Sequence, residues 1–371
     1  MTAKQWSFEP FDTWFFRESR PLDTISGTEL SCIFPPPART IMGAIRSLIG
    51  ERFKVNWENY PADYPDLYKE MGGSDDDDFG QLHINGPFLI YKGQRLYPVP
   101  LSLMEKECSF HYLKIGEPVD CDLGKQVRLP KLDERGAKPL DKAWLTEAGL
   151  KKVLAGKLPE DSDVIIQSKL FQSEPRLGIV RNNGVTEEGL LYQSQHLRMS
   201  EEIKIGAVVK GIPDNSHPTT KQCTRFGGEG HLASVQVTDQ ILSPPKIQGC
   251  QGHNLLLMLL TPADLGCKKE SWLPSADFKP VDGENCTVWE GKLNGIELNI
   301  ITAVLGKAIR EGGWNLRQNS PRPLKSLVPA GSVWFCQVKN NLADAIKKLH
   351  GFQIGKETAL GRGELIAGIW K

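Results

Sequence analysis

Phe226-Gly-Gly-Glu-Gly-His231, directly preceded by Arg225, is the stretch from which the fold can be worked out. Glycine has no Cβ atom, so it adopts positive φ readily and lets another backbone approach closely. Runs typical of strands lie on either side, Glu202 to Ile212 before the loop and Leu232 to Val237 after it. A glycine cluster between strands most often forms a tight turn, which predicts a β-rich region around this loop.

A comparable loop lies near the C-terminal end of the sequence. Gly355-Lys356 and Gly361-Arg362-Gly363 precede the apolar run Leu365 to Trp370. Successive N–H groups in such a loop can form an anion-binding concavity. Because each of the two loops also carries a basic residue, the pair favours phosphate contact, with a plain turn as the alternative for either loop. Neither has the Gly-Lys-Ser/Thr of a Walker loop or the glycine spacing of a dinucleotide fold.

Length and charge set the limits of the interpretation. The 371 residues are enough for two domains, and 45 basic residues balance 45 acidic ones. Overall charge therefore argues neither for nor against a nucleic-acid partner. The acidic run Asp75 to Asp78 is predicted to be a solvated loop. Basic residues recur elsewhere, often beside glycine or aromatic residues, and leave open a basic face on the neutral chain: Arg17, Arg20, Arg39, Arg46, Arg176, Arg181, Arg225 and Arg362.

Common metal and catalytic patterns are missing from the sequence. The eight cysteines form no Cys-x-x-Cys pair and the seven histidines form no His-x-x-x-His pair, so we predict no metal site and no cofactor. No Gly-x-Ser-x-Gly nucleophile elbow is present. The longest apolar run, Leu255 to Leu260, is too short to cross a bilayer. These observations predict a cytoplasmic protein with no membrane partner.

The order of predicted elements indicates an α+β protein with antiparallel sheets. The first half carries strands, one helix at Thr40 to Gly50, a surface loop at Tyr60 to Gly80 and a hairpin turning at Asn182-Asn-Gly184. The second half carries strands at 255–261, 332–338 and 364–370, a helix at 342–350, and a segment at 301–310 that fits a strand or a short helix. The predicted domains are residues 1–245, with insertions at about 60–80 and 102–163, and residues 250–371.

Two histidines and one aromatic run are ambiguous from sequence. His231 adjoins the glycine loop, and His196 lies in an alternating strand. An imidazole at a 2′-hydroxyl is enough for general-base cleavage of RNA, but a structural role is the more common one for such histidines. Trp14, Phe15 and Phe16 are expected in a core rather than under RNA bases. Phe34-Pro-Pro-Pro-Ala-Arg39 leads into a helix whose N-terminus, with Arg39, could hold a phosphate.

Taken in order, a series of short motifs resembles the RAMP-superfamily subunit of the type III-B CRISPR (Cmr) effector complex that binds the 5′ tag of the guide RNA. The resemblance spans nearly the whole chain except for residues 60–80 and 102–163. The motifs that carry it are Phe16-Arg17, Arg20-Pro21, Phe34-Pro-Pro-Pro37, Gly43-Ala44, Gly86-Pro87-Phe88, Glu174-Pro-Arg-Leu-Gly-Ile179, Glu187-Glu-Gly-Leu-Leu-Tyr192, Phe226-Gly-Gly-Glu-Gly230, Gly312-Gly-Trp314, Pro329-Ala-Gly-Ser332 and Gly361-Arg-Gly363.

The resemblance implies two ferredoxin-like (RRM-like) domains with inserted β-hairpins. It implies a non-catalytic subunit that holds the crRNA 5′ tag and bridges the Cas10-type large subunit to a backbone RAMP subunit. The residues expected to contact RNA are Arg17, Arg20, Arg39, Arg46, Arg176, Arg225, Gly227, Gly228, Gly230, His231, Lys356 and Arg362.

The sequence departs from the family pattern at two places. His231 stands where many relatives have a basic residue, and Glu357 lies inside the terminal loop. Two other functions stay open. One is a RAMP-type endoribonuclease that processes guide RNA through His231 or His196, and the other is a scaffold that bridges proteins with vestigial RNA contact.

Overall fold

The structure is a computed structural model that describes residues 2–18, 29–73, 75, 77–107, 109–182, 185–266, 272–283, 286–315 and 317–371, with the side chains of residues 180–191 outside the description. The α-helices are α1 (Ala38–Arg52), α2 (Pro65–Met71), α3 (Glu147–Leu154) and α4 (Leu342–Leu349). Short 3-10 turns occur at Asp161–Asp163, Gln167–Lys169, Asp214–Ser216 and Thr358–Leu360.

The strands are, in chain order, β1 (Lys4–Pro10), β2 (Thr13–Trp14), β3 (Glu29–Leu30), β4 (His83–Tyr91), β5 (Gln94–Pro98), β6 (Leu103–Lys106), β7 (Ser109–Tyr112), β8 (Lys114–Cys121), β9 (Gly124–Lys131), β10 (Lys138–Pro139), β11 (Ala143–Leu145), β12 (Val164–Ile166), β13 (Phe171–Asn182), β14 (Val185–Met199), β15 (Ile203–Lys210), β16 (Gln222–Arg225), β17 (Leu232–Thr238), β18 (Asn254–Leu259), β19 (Lys279–Asp282), β20 (Thr287–Leu293), β21 (Ile296–Val304), β22 (Ile309–Glu311), β23 (Trp314–Asn315), β24 (Ser320–Pro321), β25 (Lys325–Leu327), β26 (Val333–Val338) and β27 (Leu365–Ile369).

The chain divides into two compact units, each built from three separate stretches of sequence. The first unit comprises residues 1–93, 167–242 and 310–325, and the second comprises residues 94–166, 243–309 and 326–371. The predicted division into domains of residues 1–245 and 250–371 stays a prediction.

The first unit is an antiparallel sheet covered by a helix. Its main strands lie in the order β4-β15-β1-β17-β16. Helix α1 contacts β4 and β16 and buries Ile41, Ile45 and Ile49, which recur every four residues and therefore share one face of the helix. A second sheet, β13-β14-β2, holds the long hairpin predicted from the sequence. The turn predicted at Asn182-Asn-Gly184 lies outside the described residues at positions 183 and 184.

Two predictions about the first unit are wrong. Helix α1 does not end at Gly50 but continues to Arg52, and Gly50 instead leaves room for the indole of Trp57, which would lie 2.3 Å from a Cβ added there. The segment 60–80 is not entirely a surface loop. It contains α2, which buries Leu67 and Met71, because these apolar side chains lie one turn apart on the same helix face.

The second unit has a sheet buried on both faces. Its strands lie in the order β27-β18-β26-β21-β20-β9-β8. Strand β18 sends Leu255 and Leu257 into one core and Leu256 and Met258 into another. Successive side chains of a strand point to opposite faces, so a continuous apolar run is what a doubly covered central strand requires. The ambiguous segment 301–310 contains the end of β21 and the start of β22, with residues 305–308 connecting the two strands.

The two faces of this sheet are covered by different parts of the chain. Helix α4 lies on one side, with the side chain of Asn341 accepting a hydrogen bond from the N–H of Asp344 at its start. Helix α3 lies on the other side, where Leu150 and Leu154 join the core. This second core explains why residues 94–166 belong to the second unit.

The fold is therefore α+β with mostly antiparallel sheets and few helices, which confirms that part of the predicted fold class. Two ferredoxin-like domains stay a prediction. Among the described residues, no helix is both long and apolar enough to cross a membrane.

Candidate nucleic-acid interface

The central glycine loop, residues 226–231, joins β16 to β17 at one end of the first unit's sheet. The N–H of Phe226 donates to the carbonyl of His231 at 2.8 Å, which closes the loop. The ring of Phe226 is buried, with centroid distances of 4.8 Å to Phe8, 5.7 Å to Trp14 and 5.3 Å to Phe16. The prediction that the aromatic run belongs to a core is confirmed, and that core fixes the base of the loop.

The three glycines of the central loop have different functions. Gly227 has a φ of +94°, and a Cβ there would lie 2.6 Å from the carbonyl oxygen of Phe15. The N–H of Gly228 donates to that same oxygen at 2.7 Å. Gly230 has a φ of +71° with open space around it. Gly227 and Gly228 thus serve the fold, while Gly230 keeps the exposed tip free of a side chain.

The tip of the central loop offers hydrogen-bond donors. Within the described part of the chain, the N–H groups of Gly227, Glu229 and Gly230 have no hydrogen-bond acceptor. Neither Arg225 nor Arg17 forms an ion pair with any described residue, and both side chains are exposed. Arg17 directly follows Phe16, whose ring adjoins Gly227. Backbone donors and unneutralised cations at one loop form an arrangement suited to a phosphate.

The structure brings the two candidate catalytic histidines together. Nε2 of His231 lies 3.0 Å from Nδ1 of His196, and the rings meet edge to face at 4.9 Å. His196 is buried, stacks on Phe15 at 5.0 Å, and has its Nε2 2.9 Å from the hydroxyl of Ser194. Both ring nitrogens of His196 are therefore engaged inside the protein.

Both imidazoles are neutral near pH 7. Burial lowers the pKa of His196 to about 4, with smaller contributions from Arg176 and from His231 once acid protonates it. Burial and the charge of Arg176 also lower the pKa of His231. The pair supplies no positive charge to an RNA phosphate, but it fixes the end of the central loop to β14.

Arg176 belongs to a four-residue ion network. Its guanidinium lies 2.8 Å from Asp12 and 2.8 Å from Glu174, while Arg198 is 3.2 Å from Asp12 and also contacts Glu174. Hydrogen bonds from Arg176 and Arg198 hold the pKa of Asp12 and of Glu174 below their usual values. Two cations and two anions cancel, so Arg176 is not a spare positive charge. The sequence analysis missed Asp12 and Arg198, because neither adjoins a glycine loop.

Arg39 and Arg46 hold the segment that follows α1. Arg39 pairs with Asp77 at 2.8 Å, so the acidic run is not simply solvated as predicted. Arg46 donates to the carbonyl of Gly72 at 3.0 Å, and burial lowers its pKa. Both guanidiniums thus have partners within the protein. Arg20 lies outside the described residues.

The terminal glycine loop, residues 355–363, is filled by the protein itself. Arg362 is 2% exposed and pairs with Glu357, because the turn directs both side chains inward. A Cβ on Gly363 would lie 1.9 Å from the carbonyl oxygen of Ile354, and the Gly363 N–H donates to Pro262 at 3.0 Å. The structure therefore does not present Arg362 to a phosphate, although the side chain of Lys356 is exposed.

Comparison with known proteins identifies the class. A sequence profile described as CRISPR-associated protein (Cas_Cmr3) matches residues 6–370. The chain therefore belongs to this family, and the resemblance to the Cmr subunit is confirmed. It is a subunit of a type III CRISPR effector complex. A search of curated protein sequences finds no significant match.

Solved structures with related chains come from type III complexes. A chain of the type III-B Cmr-beta complex bound to cognate target RNA and AMPPNP is 14% identical with a TM-score of 0.49, covering 89% of this chain and 86% of that one. A chain of a Csm3-Csm4 subcomplex from a type III-A interference complex is 10% identical with a TM-score of 0.39, covering 99% of both chains.

Proposed function

We propose that this subunit holds the 5′ tag of the guide RNA without cleaving it, and bridges the Cas10-type large subunit to a backbone RAMP subunit. The RNA-binding part of the proposal rests on the central glycine loop, where the N–H groups of Gly227, Glu229 and Gly230 are open beside the exposed Arg225. We further propose that each compact unit is a ferredoxin-like domain with inserted hairpins.

The proposed binding mode fixes the RNA through its backbone. Single-stranded RNA is commonly held by cationic side chains and N–H groups on its phosphates while the bases are splayed apart. The tip of the central loop supplies N–H donors, and Arg225 and Arg17 supply charge. Arg39, Arg46, Arg176 and Arg362 have partners within the protein, so we assign them to stabilising the fold of the unit to which each belongs. Lys356 stays a candidate contact within the second unit.

A formally neutral chain is compatible with this function. RNA affinity depends on the cations at the binding site rather than on the net charge of the chain. Each phosphate that such a cation neutralises releases counterions, and this release contributes to affinity. His231, which replaces a basic residue found in many relatives, carries no charge near pH 7 and bonds to His196. The loop therefore relies on Arg225, Arg17 and backbone donors rather than on position 231.

The experiment that tests the RNA part is binding of a crRNA carrying its 5′ tag against the same RNA without the tag, measured by fluorescence anisotropy. The intact protein should bind the tagged RNA more tightly, and Arg225→Ala should reduce that preference. Equal affinity for the two RNAs would overturn tag recognition. Bridging is tested separately by mixing the purified chain with the Cas10-type subunit, where separate elution at micromolar concentration would count against it.

One observation favours the second candidate, a guide-RNA endoribonuclease. His231 and His196 are hydrogen-bonded next to the central loop, and a neutral imidazole is the form that acts as a general base. Against it, both nitrogens of His196 are engaged internally, so His231 alone would have to reach the RNA. Incubation with repeat-containing RNA should leave it intact. Cleavage that is lost in His231→Ala would establish the nuclease instead.

A further inference from the structure

An exposed aromatic side chain lies beside the central glycine loop. Phe11 directly follows β1 and is 64% exposed. Its N–H donates to the carbonyl of Leu232 at 3.4 Å, which continues the pairing of β1 with β17 one residue beyond Pro10 and Ala233. Leu232, the first residue of β17, is itself 43% exposed. None of the motifs that carry the family resemblance contains Phe11.

Arg225 extends this pair of residues to a row across three neighbouring chain segments. In the antiparallel pair of β16 and β17, Arg225 lies opposite Leu232. Directly opposite residues of antiparallel strands point to the same face of the sheet, and both of these side chains are exposed. Because adjacent strands lie about 4.8 Å apart, the backbones of Phe11 and Arg225 are about 10 Å apart. We call Phe11, Leu232 and Arg225 the exposed row.

The composition of the exposed row sets it apart from an ordinary surface. Single exposed apolar residues are common on proteins and need no explanation. Here an aromatic ring, an aliphatic side chain and a cation with no ion pair among the described residues lie next to one another. The loop that joins Arg225 to Leu232 carries the open N–H groups of the central site. Aromatic rings under the bases, together with cations on the phosphates, are how many proteins hold single-stranded nucleic acid.

Two carboxylates lie close to Phe11 in sequence, and both are paired with cations of the same unit. Asp12 belongs to a four-residue ion network in which two cations cancel two anions. The carboxylate of Glu9 lies 3.4 Å from Nζ of Lys204 and 3.7 Å from Nζ of Lys221. Neither carboxylate therefore leaves an uncompensated negative charge next to the Phe11 ring that would repel an RNA backbone.

Glu229 is the exposed carboxylate of the central loop, and it forms no ion pair with any described residue. A carboxylate repels a phosphate but accepts a hydrogen bond from the amino group of a base. The side chain of Glu229 therefore favours a base rather than a phosphate beside it, while Arg225 is the cation that a phosphate would contact.

We propose that the ring of Phe11 stacks on one base of the single-stranded guide RNA, with Leu232 beside it and a neighbouring phosphate on Arg225. The proposal rests on the proposed RNA-binding function and names the residue that receives a base at that site. Every base has a π face, so stacking on Phe11 contributes affinity with little dependence on which base lies there.

The first test measures stacking directly on the intact chain. Single-stranded RNA with the 5′ tag carries the fluorescent base 2-aminopurine at one tag position at a time, and stacking quenches its emission. The wild-type chain should quench one position most strongly. Phe11→Ala should remove that quenching and weaken binding about fivefold or more, the effect typical of losing one stacked base. Phe11→Trp should keep both, whereas Phe11→Leu, which is apolar but has no π face, should behave like the alanine variant.

The matched control is Phe53→Ala, because Phe53 is also an exposed phenylalanine of the first unit, at 38%, and follows α1. It should leave quenching and affinity unchanged. Thermal unfolding should show that Phe11→Ala folds like the wild-type chain, since its side chain is largely exposed. If that variant does not fold, the comparison of Phe11→Trp with Phe11→Leu decides the question. Equal quenching by these two variants would overturn the proposal.

A double-substitution cycle tests whether Phe11 acts through the base. An abasic nucleotide at the quenched position should weaken binding to the wild-type chain about as much as Phe11→Ala does. Combining the two changes should weaken binding no further, because both remove the same contact. Independent, additive losses would show that the base does not lie on Phe11 and would overturn the proposal.

The outcomes separate this proposal from the proposed function. If Arg225→Ala weakens binding of the tagged RNA while Phe11→Ala binds like the wild-type chain, stacking on Phe11 is refuted and tag binding survives. If the wild-type chain binds tagged and untagged RNA equally, tag binding fails and the stacking proposal falls with it. If Phe11→Ala weakens assembly with the Cas10-type subunit in the absence of RNA, and leaves RNA binding unchanged, the exposed row is a protein interface instead.

Discussion

The central and terminal glycine loops have similar compositions, but the tip of the central loop is open whereas the terminal loop is packed against the rest of the protein. At the central loop, Gly230 faces open space and the adjacent Arg225 is exposed. At the terminal loop, Gly363 touches the backbone of Ile354 and Arg362 is buried against Glu357. Glycine next to arginine therefore does not by itself indicate a phosphate site. The distinction depends on whether the loop's donors and cation already have partners within the protein.

The largest expected effect concerns the buried cation of the terminal loop. Arg362→Ala removes the cation that pairs with the buried carboxylate of Glu357, so the free energy of unfolding should fall by about 3–5 kcal/mol. Urea denaturation measures this. Arg225→Ala is the matched control at the central loop and should change stability by less than about 0.5 kcal/mol. A similar small effect for both arginines would remove the contrast between the two loops.

The second comparison places one methyl group in each loop. Gly363→Ala combines left-handed strain with a backbone clash at Ile354, so it should cost about 2–4 kcal/mol of stability. Gly230→Ala adds a Cβ to open space and should cost about 1–2 kcal/mol from strain alone. Thermal unfolding of both variants decides this. An equal loss of stability in the two variants would mean that the backbone of the terminal loop shifts to relieve the clash with Ile354.

Lowering the pH should destabilise the protein through His196, the residue that fixes the end of the central loop to β14. The unfolded histidine has a pKa near 6.5, while in the folded protein burial holds it at about 4. Between these values the unfolded chain binds a proton that the folded chain does not, so stability falls as the pH falls. From pH 7 to pH 5 the loss assigned to His196 is about 2 kcal/mol.

The measurement is urea denaturation across this pH range, for the wild-type chain and for His196→Gln. The variant should lack this part of the pH dependence, while His217, whose pKa burial also lowers to about 4, contributes equally to both proteins. Identical pH profiles for wild type and variant would show that His196 is not protected from protonation.

The smallest expected effect concerns RNA. Arg225→Ala should weaken binding of the tagged RNA about tenfold, or about 1.4 kcal/mol, and make the salt dependence shallower by about 0.7 in logarithmic slope. Lys356→Ala is the matched change within the terminal loop and reports whether that loop contributes any phosphate contact. An unchanged affinity and slope for Arg225→Ala would make the central loop a turn only.

Elements with a strong periodic pattern could be predicted from the sequence. Helix α1 follows from Ile41, Ile45 and Ile49, and α4 from its apolar face, because burial of one stripe decides a helix. The predicted end of α1 was wrong because Gly50 does not end the helix. A glycine is needed there to make room for the indole of Trp57, seven residues later in the sequence. Helix α2 was missed because its seven residues bury only Leu67 and Met71.

The candidate site could be predicted only in part. The position of the central loop follows from its glycines, but the pairing of His231 with His196 depends on two strands far apart in sequence. The partners of Arg176 and Arg362 are acidic residues whose importance appears only when the chain is folded. Sequence locates basic residues well, but it does not show which of them are already neutralised.

The interleaved second unit has a consequence for synthesis on the ribosome. Leu150 and Leu154 of α3 belong to the same core as Ile366 in the last strand. About two hundred residues separate them, which takes about 10–40 s to translate. Throughout that interval the apolar face of the early segment has no native partner from β27, so a chaperone or transient local structure must shield it. A chain released before its final strand would therefore leave the second unit incomplete even though most of its residues had been made.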